Sequence, residues 1–244
     1  MHKIDPYFQV ETLRKTLNPQ QLIYMAMHQD YSENFVVEEI DKIPSDSKCG
    51  EIIVNKLLKG DVGHYGCLEH PQITLNCGYF PHSVMQQART HRISVSFDVQ
   101  SGRYTGKRML DVANGDRSIE EVFYLRPVGF YTDRQGRRYE YTKADRQEDL
   151  NLCLRMALIY EEKIKNGMSE EHARGMSLFD FRQHFVVSFS LRSLLHFLDL
   201  RAKRDAQLEI QQLCELILPH LKSWCPDIAD WYIQNRWGKA RLAP

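Results

Sequence analysis

Between Gln72 and Phe80 the chain alternates, with Ile73, Leu75, Cys77 and Tyr79 separated by polar or small residues. A period of two predicts a half-buried strand. Other stretches carry a longer period. Asn18 and Pro19 read as the N-cap and first residue of a helix over "PQQLIYMAMHQ", and "GEIIVNKLLKG" as a short helix stopped by Gly60. "GHYGCLEHP" is a loop. Pro81 opens a helix whose Val84, Met85 and Ala88 face the core, with Gln87 and His91, four apart, on one face. Ser101 to Tyr104 reads as a turn or short strand, and "YLRPVGFYTDRQGRRYEYT" as two extended segments joined at Asp133-Arg134-Gln135-Gly136. Asp145 with Glu148 makes a capping-box start for a long helix, in which Leu150, Leu154, Leu158 and Ile164 recur up to Gly167. Ser169 caps a short helix, and "FVVSFS" is a β-branched and aromatic run. Ser190 caps "LRSLLHFLDLR", and Asp205 opens "AQLEIQQLCELILPHL".

Helices come first, a strand and hairpin region follows, and long helices close the chain, without the strict alternation of a doubly wound sheet. This predicts an α+β fold with long helices around a small, mostly antiparallel sheet. No repeat, low-complexity tract or linker divides the sequence, and 244 residues at 43% hydrophobic can bury a sizeable core. One domain over residues 1–244 is expected. Weak order is expected for the first few residues and the tail "GKARLAP". No run is long enough to span a bilayer.

Charge adds a constraint. Thirty-two basic residues balance thirty-two acidic ones, which removes the broad positive field that nonspecific nucleic-acid binding uses. Against that neutral background, Arg89, His91, Arg92 and Arg103 stand close to Ser94, Ser96 and Ser101. Cationic forks and hydroxyls together suit a phosphate and carbonyl pocket, as for a nucleotide. Taken singly, Arg89 and Arg92 also read as solvated surface residues. A second group lies in "FSLRSLLHFLDLR", where Arg192, His196 and Asp199 or Leu200 share a helix face, with Arg201 about one and a quarter turns from His196. An arginine on an apolar helix needs a partner or a role, because burying it unpaired costs several kcal/mol. Arg201 alone also suits the helix C-terminus.

The loop holding His64, Cys67, Glu69 and His70 contains zinc-ligand types without the spacing of a closed site. Glu69 and His70 read more simply as organisers that hydrogen-bond to loop backbone. A metal-dependent nucleotide phosphohydrolase using His64, Glu69 and His70 is the alternative. The six cysteines form no Cys-x-x-Cys pair and no secretory leader pattern opens the chain, so reduced thiols and a cytoplasmic protein are expected. Dinucleotide, Walker and nucleophile-elbow signatures are absent.

In order and separation, three motif groups resemble the flavin-dependent thymidylate synthases, which share a thymidylate-synthase-complementing-protein type of fold. They are Gly63-His64 with Glu69-His70; Thr90-His91-Arg92 with Ser101-Gly102-Arg103-Tyr104; and Arg192-Ser193-Leu194, Leu200-Arg201-Ala202 and Ala206-Gln207-Leu208-Glu209-Ile210. The middle and hairpin segments look most like the cyanobacterial and phage branch.

The resemblance implies reductive methylation of dUMP to dTMP, with methylenetetrahydrofolate as carbon donor, FAD as hydride carrier, NADPH as reductant and no cysteine nucleophile. It also implies a homotetramer whose active sites are shared between subunits. Arg201, Ser101 and His64 match catalytic positions. Gln87, Arg89, Thr90, Ser101, Gly102, Arg103, Arg174, Leu200 and Arg201 match the dUMP site. Gly66, Thr90, His91, Arg92, Ser190, Arg192, His196 and Asp205 match flavin positions, and no metal is implied. The chain departs from the pattern in several places. Thr90 replaces the first arginine of the triplet, Ser190 and His196 stand where asparagines are usual, and Asp205 stands for a histidine. Either Asp98 or Val99 takes an acidic position before Ser101.

Overall fold

A computed structural model describes residues 3–60, 62–133 and 135–239. The hairpin residue Arg134 and the tail residues 240–244 lie outside the described residues. In chain order the elements are β1 (Gln9–Lys15), α1 (Pro19–Gln29), α2 (Asp46–Ile53), β2 (Gln72–Pro81), α3 (His82–Ala88) and β3 (Val95–Val99). Then come α4 (Lys107–Ala113), α5 (Ile119–Val122), β4 (Gly129–Thr132), β5 (Arg138–Tyr141), α6 (Lys143–Lys165) and α7 (Glu170–Ala173). The last are β6 (Arg182–Ser190), α8 (Leu191–Arg201), α9 (Leu208–Trp224) and α10 (Pro226–Asn235). The four-stranded sheet runs β1-β2-β6-β3 and a separate two-stranded sheet pairs β4 with β5. The fold is α+β.

Most predicted elements form, and the differences have local causes. On β2, Ile73, Leu75 and Cys77 are fully buried as the alternation requires. Tyr79 breaks the pattern by taking a left-handed φ of 66°, which shifts the next buried position to Phe80. The helix after Pro81 ends at Ala88, so His91 lies beyond it and does not share a helix face with Gln87. The long helix starts three residues early. Thr142, not Asp145, is its N-cap, and Asp145 is the reciprocating third residue of the capping box. Its buried face is Cys153, Ala157 and Tyr160, while Leu154 and Leu158 are exposed. Asp205 is no cap: α9 begins at Leu208 with Gln207 before it. The loop after Gly63 contains a 3-10 turn over Tyr65–Glu69.

The chain packs as two compact units, each built from three segments. The first holds Met1–Gln9, Cys77–Gln87 and Asp98–Phe185. Its core gathers Met109, Val112, Val122, Phe123, Cys153, Ala157 and Tyr160. A buried ion pair joins Arg182 to Asp5, with Nη2 2.9 Å from Oδ2, and the same guanidinium lies over the rings of Tyr7, Phe8 and Tyr124. The second unit holds Val10–Asn76, Ala88–Phe97 and Val186–Pro244. There α1 packs on α2, α8 on α9 and α9 on α10, burying Ile23, Leu194, Leu195, Leu198, Leu213 and Ile217. Asp199, fully buried on α8, pairs with Arg236.

Candidate active site

In the second unit, α8 carries Arg192, His196, Leu200 and Arg201 of the expected site residues. Ser190 caps it, its hydroxyl oxygen accepting from the Ser193 amide at 3.2 Å. The chain after α3 is tied to that end of the helix. The Ser193 hydroxyl donates to the Ile93 carbonyl at 2.7 Å, and the Ser190 amide donates to the Ser94 carbonyl. Ser94 takes a left-handed φ of 52°. One cavity of about 690 Å³ results, lined on the α8 side by Arg192, Ser193, His196, Leu200 and Arg201. From the chain after α3 come Thr90, His91, Arg92, Ile93 and Val95, and Glu69 completes the wall. The helix face is therefore Arg192-His196-Leu200. Asp199 points to the buried side.

Arg201 is the last residue of α8. Its Nε donates to His91 Nε2 at 3.0 Å, and Nη2 donates to Thr90 Oγ1 at 2.7 Å. The His91 ring, 8% exposed, lies edge-on to His196 and Phe197. Burial pushes its pKa down to about 4, and the nearby Arg201 and His196 add to the shift. His91 is thus a neutral acceptor at neutral pH. Burial also lowers the pKa of Arg201. Arg192 Nη1 donates to Glu69 Oε1 at 2.6 Å, and the Ser94 hydroxyl reaches Glu69 Oε2 at 3.4 Å. Glu69 therefore organises this wall through side chains, not through the loop backbone expected of it.

In the first unit, Ser101-Gly102-Arg103-Tyr104 forms the expected turn, with the Tyr104 amide donating to the Ser101 carbonyl at 3.0 Å. The Ser101 hydroxyl oxygen accepts from the Arg103 amide at 3.3 Å. Arg103 pairs with Glu171 at 3.0 Å, a partner the sequence reading missed although it stands three residues before Arg174. Arg174 crosses over Gly102: a Cβ there would sit 3.2 Å from Arg174 Cδ. Gly102, Glu171 and Arg174 all line a second cavity, of about 480 Å³. Gln87, half-buried on α3, donates to the Ser83 carbonyl at 3.4 Å.

Other expected residues lie outside these linings. His64 is exposed just before the 3-10 turn and Gly66 is exposed within it, and Arg89 is exposed just after α3. Asp205 is exposed and pairs with Lys203 at 3.2 Å. On β3, Asp98 falls on the exposed side and Val99 on the half-buried side. With Glu69 engaged by Arg192, and no group of three metal-ligating side chains among the described residues, the phosphohydrolase alternative is not favoured.

The six cysteines are all buried free thiols. Burial raises Cys49 and Cys67 to about 11 and Cys153 to about 12. Cys77, Cys214 and Cys225 are driven higher still, also by burial. A nucleophilic cysteine needs the opposite, an accessible thiol with a depressed pKa.

The family model described as thymidylate synthase complementing protein matches residues 11–227. The chain belongs to that family. Over 250 residues it is 33% identical to a flavin-dependent thymidylate synthase of Halobacterium salinarum, covering 96% of this chain and 99% of that one. The enzyme of the same description from Haloarcula marismortui is 33% identical over 254 residues, with the same coverage. The fold is shared with PolB, a UMP/dUMP methylase from Streptomyces cacaoi solved with 5-Br dUMP, at a TM-score of 0.71, 18% identity and 100% coverage of both chains. It is shared too with ThyX of Helicobacter pylori, solved with FAD and dUMP, at a TM-score of 0.64 and 17% identity over 94% of this chain and 98% of that one.

Proposed function

We propose that the chain is a flavin-dependent thymidylate synthase, which methylates dUMP reductively to dTMP. One observation carries this reading: in a member of that family, Thr90, His91, Arg92, Arg192, His196 and Arg201 gather from distant segments around one cavity. The lining suits a flavin. Ile93, Val95 and Leu200 offer apolar surface for a planar ring, while Arg92, Arg192 and the Ser193 hydroxyl offer donors for anionic and carbonyl groups. Among the positions the resemblance assigns to the flavin, Thr90, His91, Arg92, Arg192 and His196 stand in this lining. Ser190 is buried as the α8 cap and acts by fixing the helix end. Gly66 and Asp205 are exposed, so any contact from them is at the periphery. FAD, when bound, supplies the hydride.

The chain's own residues bind, orient and stabilise charge. With every thiol buried and protonated, the pyrimidine is not activated by an enzyme thiolate. That leaves electrostatic activation. Arg201 presents a fixed positive charge held by two neutral acceptors, suited to a pyrimidine carbonyl and N3 edge where negative charge develops. Arg103 and Arg174, brought together at Gly102, take the dUMP phosphate, and Ser101 and Gly102 flank the uracil. Gln87, Arg89, Thr90 and Leu200 complete the substrate contacts, and His64 acts near the flavin and folate.

The motif resemblance further assigns methylenetetrahydrofolate as carbon donor and NADPH as reductant, and the free thiols support a cytoplasmic location. It assigns a homotetramer with shared sites, and the exposed Leu154 and Leu158 on α6 support an assembly that covers them. The family match from 11 to 227 supports treating residues 1–244 as one functional domain. Zero net charge argues against a nucleic-acid partner, and no described helix is long and apolar enough to cross a membrane.

The test is product formation. Protein incubated with FAD, NADPH, methylenetetrahydrofolate and dUMP should yield dTMP by chromatography. Protein that cannot be loaded with FAD and yields none would overturn the reading.

A further inference from the structure

We propose that Thr90 and His91 are positioning residues for Arg201, a pair of acceptors that fix one edge of the guanidinium; this rests on the thymidylate synthase reading. Three observations converge on it. The two contacts use the Nε and Nη2 donors, which lie on one edge of the guanidinium, so the donors on the other side are turned away from Thr90 and His91. Both acceptors are neutral, whereas Arg103 and Arg192 are each engaged by a carboxylate, Glu171 and Glu69. The His91 ring is itself immobilised, edge-on between His196 and Phe197.

Thr90 departs from the Arg-His-Arg triplet of the family pattern. Where that triplet carries an arginine, Thr90 Oγ1 accepts from Arg201 Nη2. Arginine there could only donate and would place like charge beside Arg201. Arg201 ends its helix on a long flexible stem, and holding it costs side-chain entropy unless the site does so in advance. Thr90 and His91 supply that order. Among the described residues, His196 on α8 adds to the lowering of His91 and Cys214 on α9 lies near Arg201. The Cys214 thiol is driven well above its usual range by burial and stays protonated.

FAD-loaded enzyme would be assayed for dUMP turnover and flavin content in His91→Phe, Thr90→Val, Thr90→Ser, Arg201→Lys and the His91→Phe/Arg201→Lys double variant. His91→Phe keeps the ring and removes the acceptor. His91→Phe and Thr90→Val should each lower kcat/KM for dUMP by about tenfold with flavin content retained, and Thr90→Ser should recover most of the loss. In the Arg201→Lys background, His91→Phe should cost less than about twofold more, the non-additivity of one coupled unit. Full additivity, or a loss that tracks flavin content, overturns the proposal. Nitrogen-15 NMR of the free protein gives a readout independent of turnover. His91 should be neutral with its proton on Nδ1, and Arg201→Gln should raise its pKa. A proton on Nε2 in the parent protein overturns the proposal. A parent enzyme without turnover but with the Nδ1 tautomer overturns the functional reading and leaves the arrangement standing.

Discussion

At residue scale the site is a matter of what holds each arginine. Arg103 and Arg192 have carboxylate partners, and Arg201 has the threonine and imidazole described above. The sequence made the arginines visible through their motifs. It could not reveal their partners, because His91 and Arg201 are 110 positions apart and Glu69 and Arg192 are 123 apart. Arg201→Lys should retain FAD while losing roughly a hundredfold or more in turnover, since an ammonium cannot reproduce the planar fork. Steady-state rates beside an absorbance spectrum would check both halves. His91 also predicts a pH effect. Its folded pKa of about 4 lies below the ordinary value of 6.5, so between those values the unfolded chain binds more protons than the native one. Stability should therefore fall as pH drops from about 6.5 towards 4 and be insensitive to this group above that window. Burial lowers His184 in the same direction, so the clean measurement is the difference in melting profile between parent and His91→Phe. A difference that is flat from pH 7 to 4.5 would remove His91 as its source.

At element scale, periodicity located β2 and α8, because each has a buried face, and turn residues located the hairpin. It failed where side-chain caps or backbone shifts decided the boundary. Thr142 takes the cap that Asp145 was expected to supply, and the left-handed Tyr79 breaks the alternation of β2. It missed β1, whose exposed "ETLRK" hides the pattern, and α10, whose start at Pro226 follows α9 directly. Buried charge was the other blind spot. Arg182 sits 1% exposed in β6 against Asp5 near the chain start, 177 positions away, and nothing in either local sequence announces it. Removing one partner of such a pair leaves an uncompensated buried charge. Asp5→Ala should thus destabilise by about 3–5 kcal/mol in chemical denaturation. A loss under about 1 kcal/mol would mean that water or a neighbour replaces the carboxylate.

At the scale of the whole molecule, the groups assigned to one reaction divide cleanly between units. Thr90, His91, Arg92, Arg192 and Arg201 belong to one, and Gln87, Ser101, Gly102, Arg103 and Arg174 to the other. An assembly with shared sites would join such groups from different copies. Light scattering at micromolar concentration should therefore give a mass near four chains of 28.7 kDa, and a monomer would contradict the tetramer. The central claim is that these residues hold a pyrimidine nucleotide against a flavin. Titrating FAD-loaded protein with dUMP while recording the flavin absorbance tests it most directly. The account predicts a saturable change in the flavin bands that Arg201→Lys and Arg174→Ala weaken; a flavin spectrum indifferent to dUMP would contradict it.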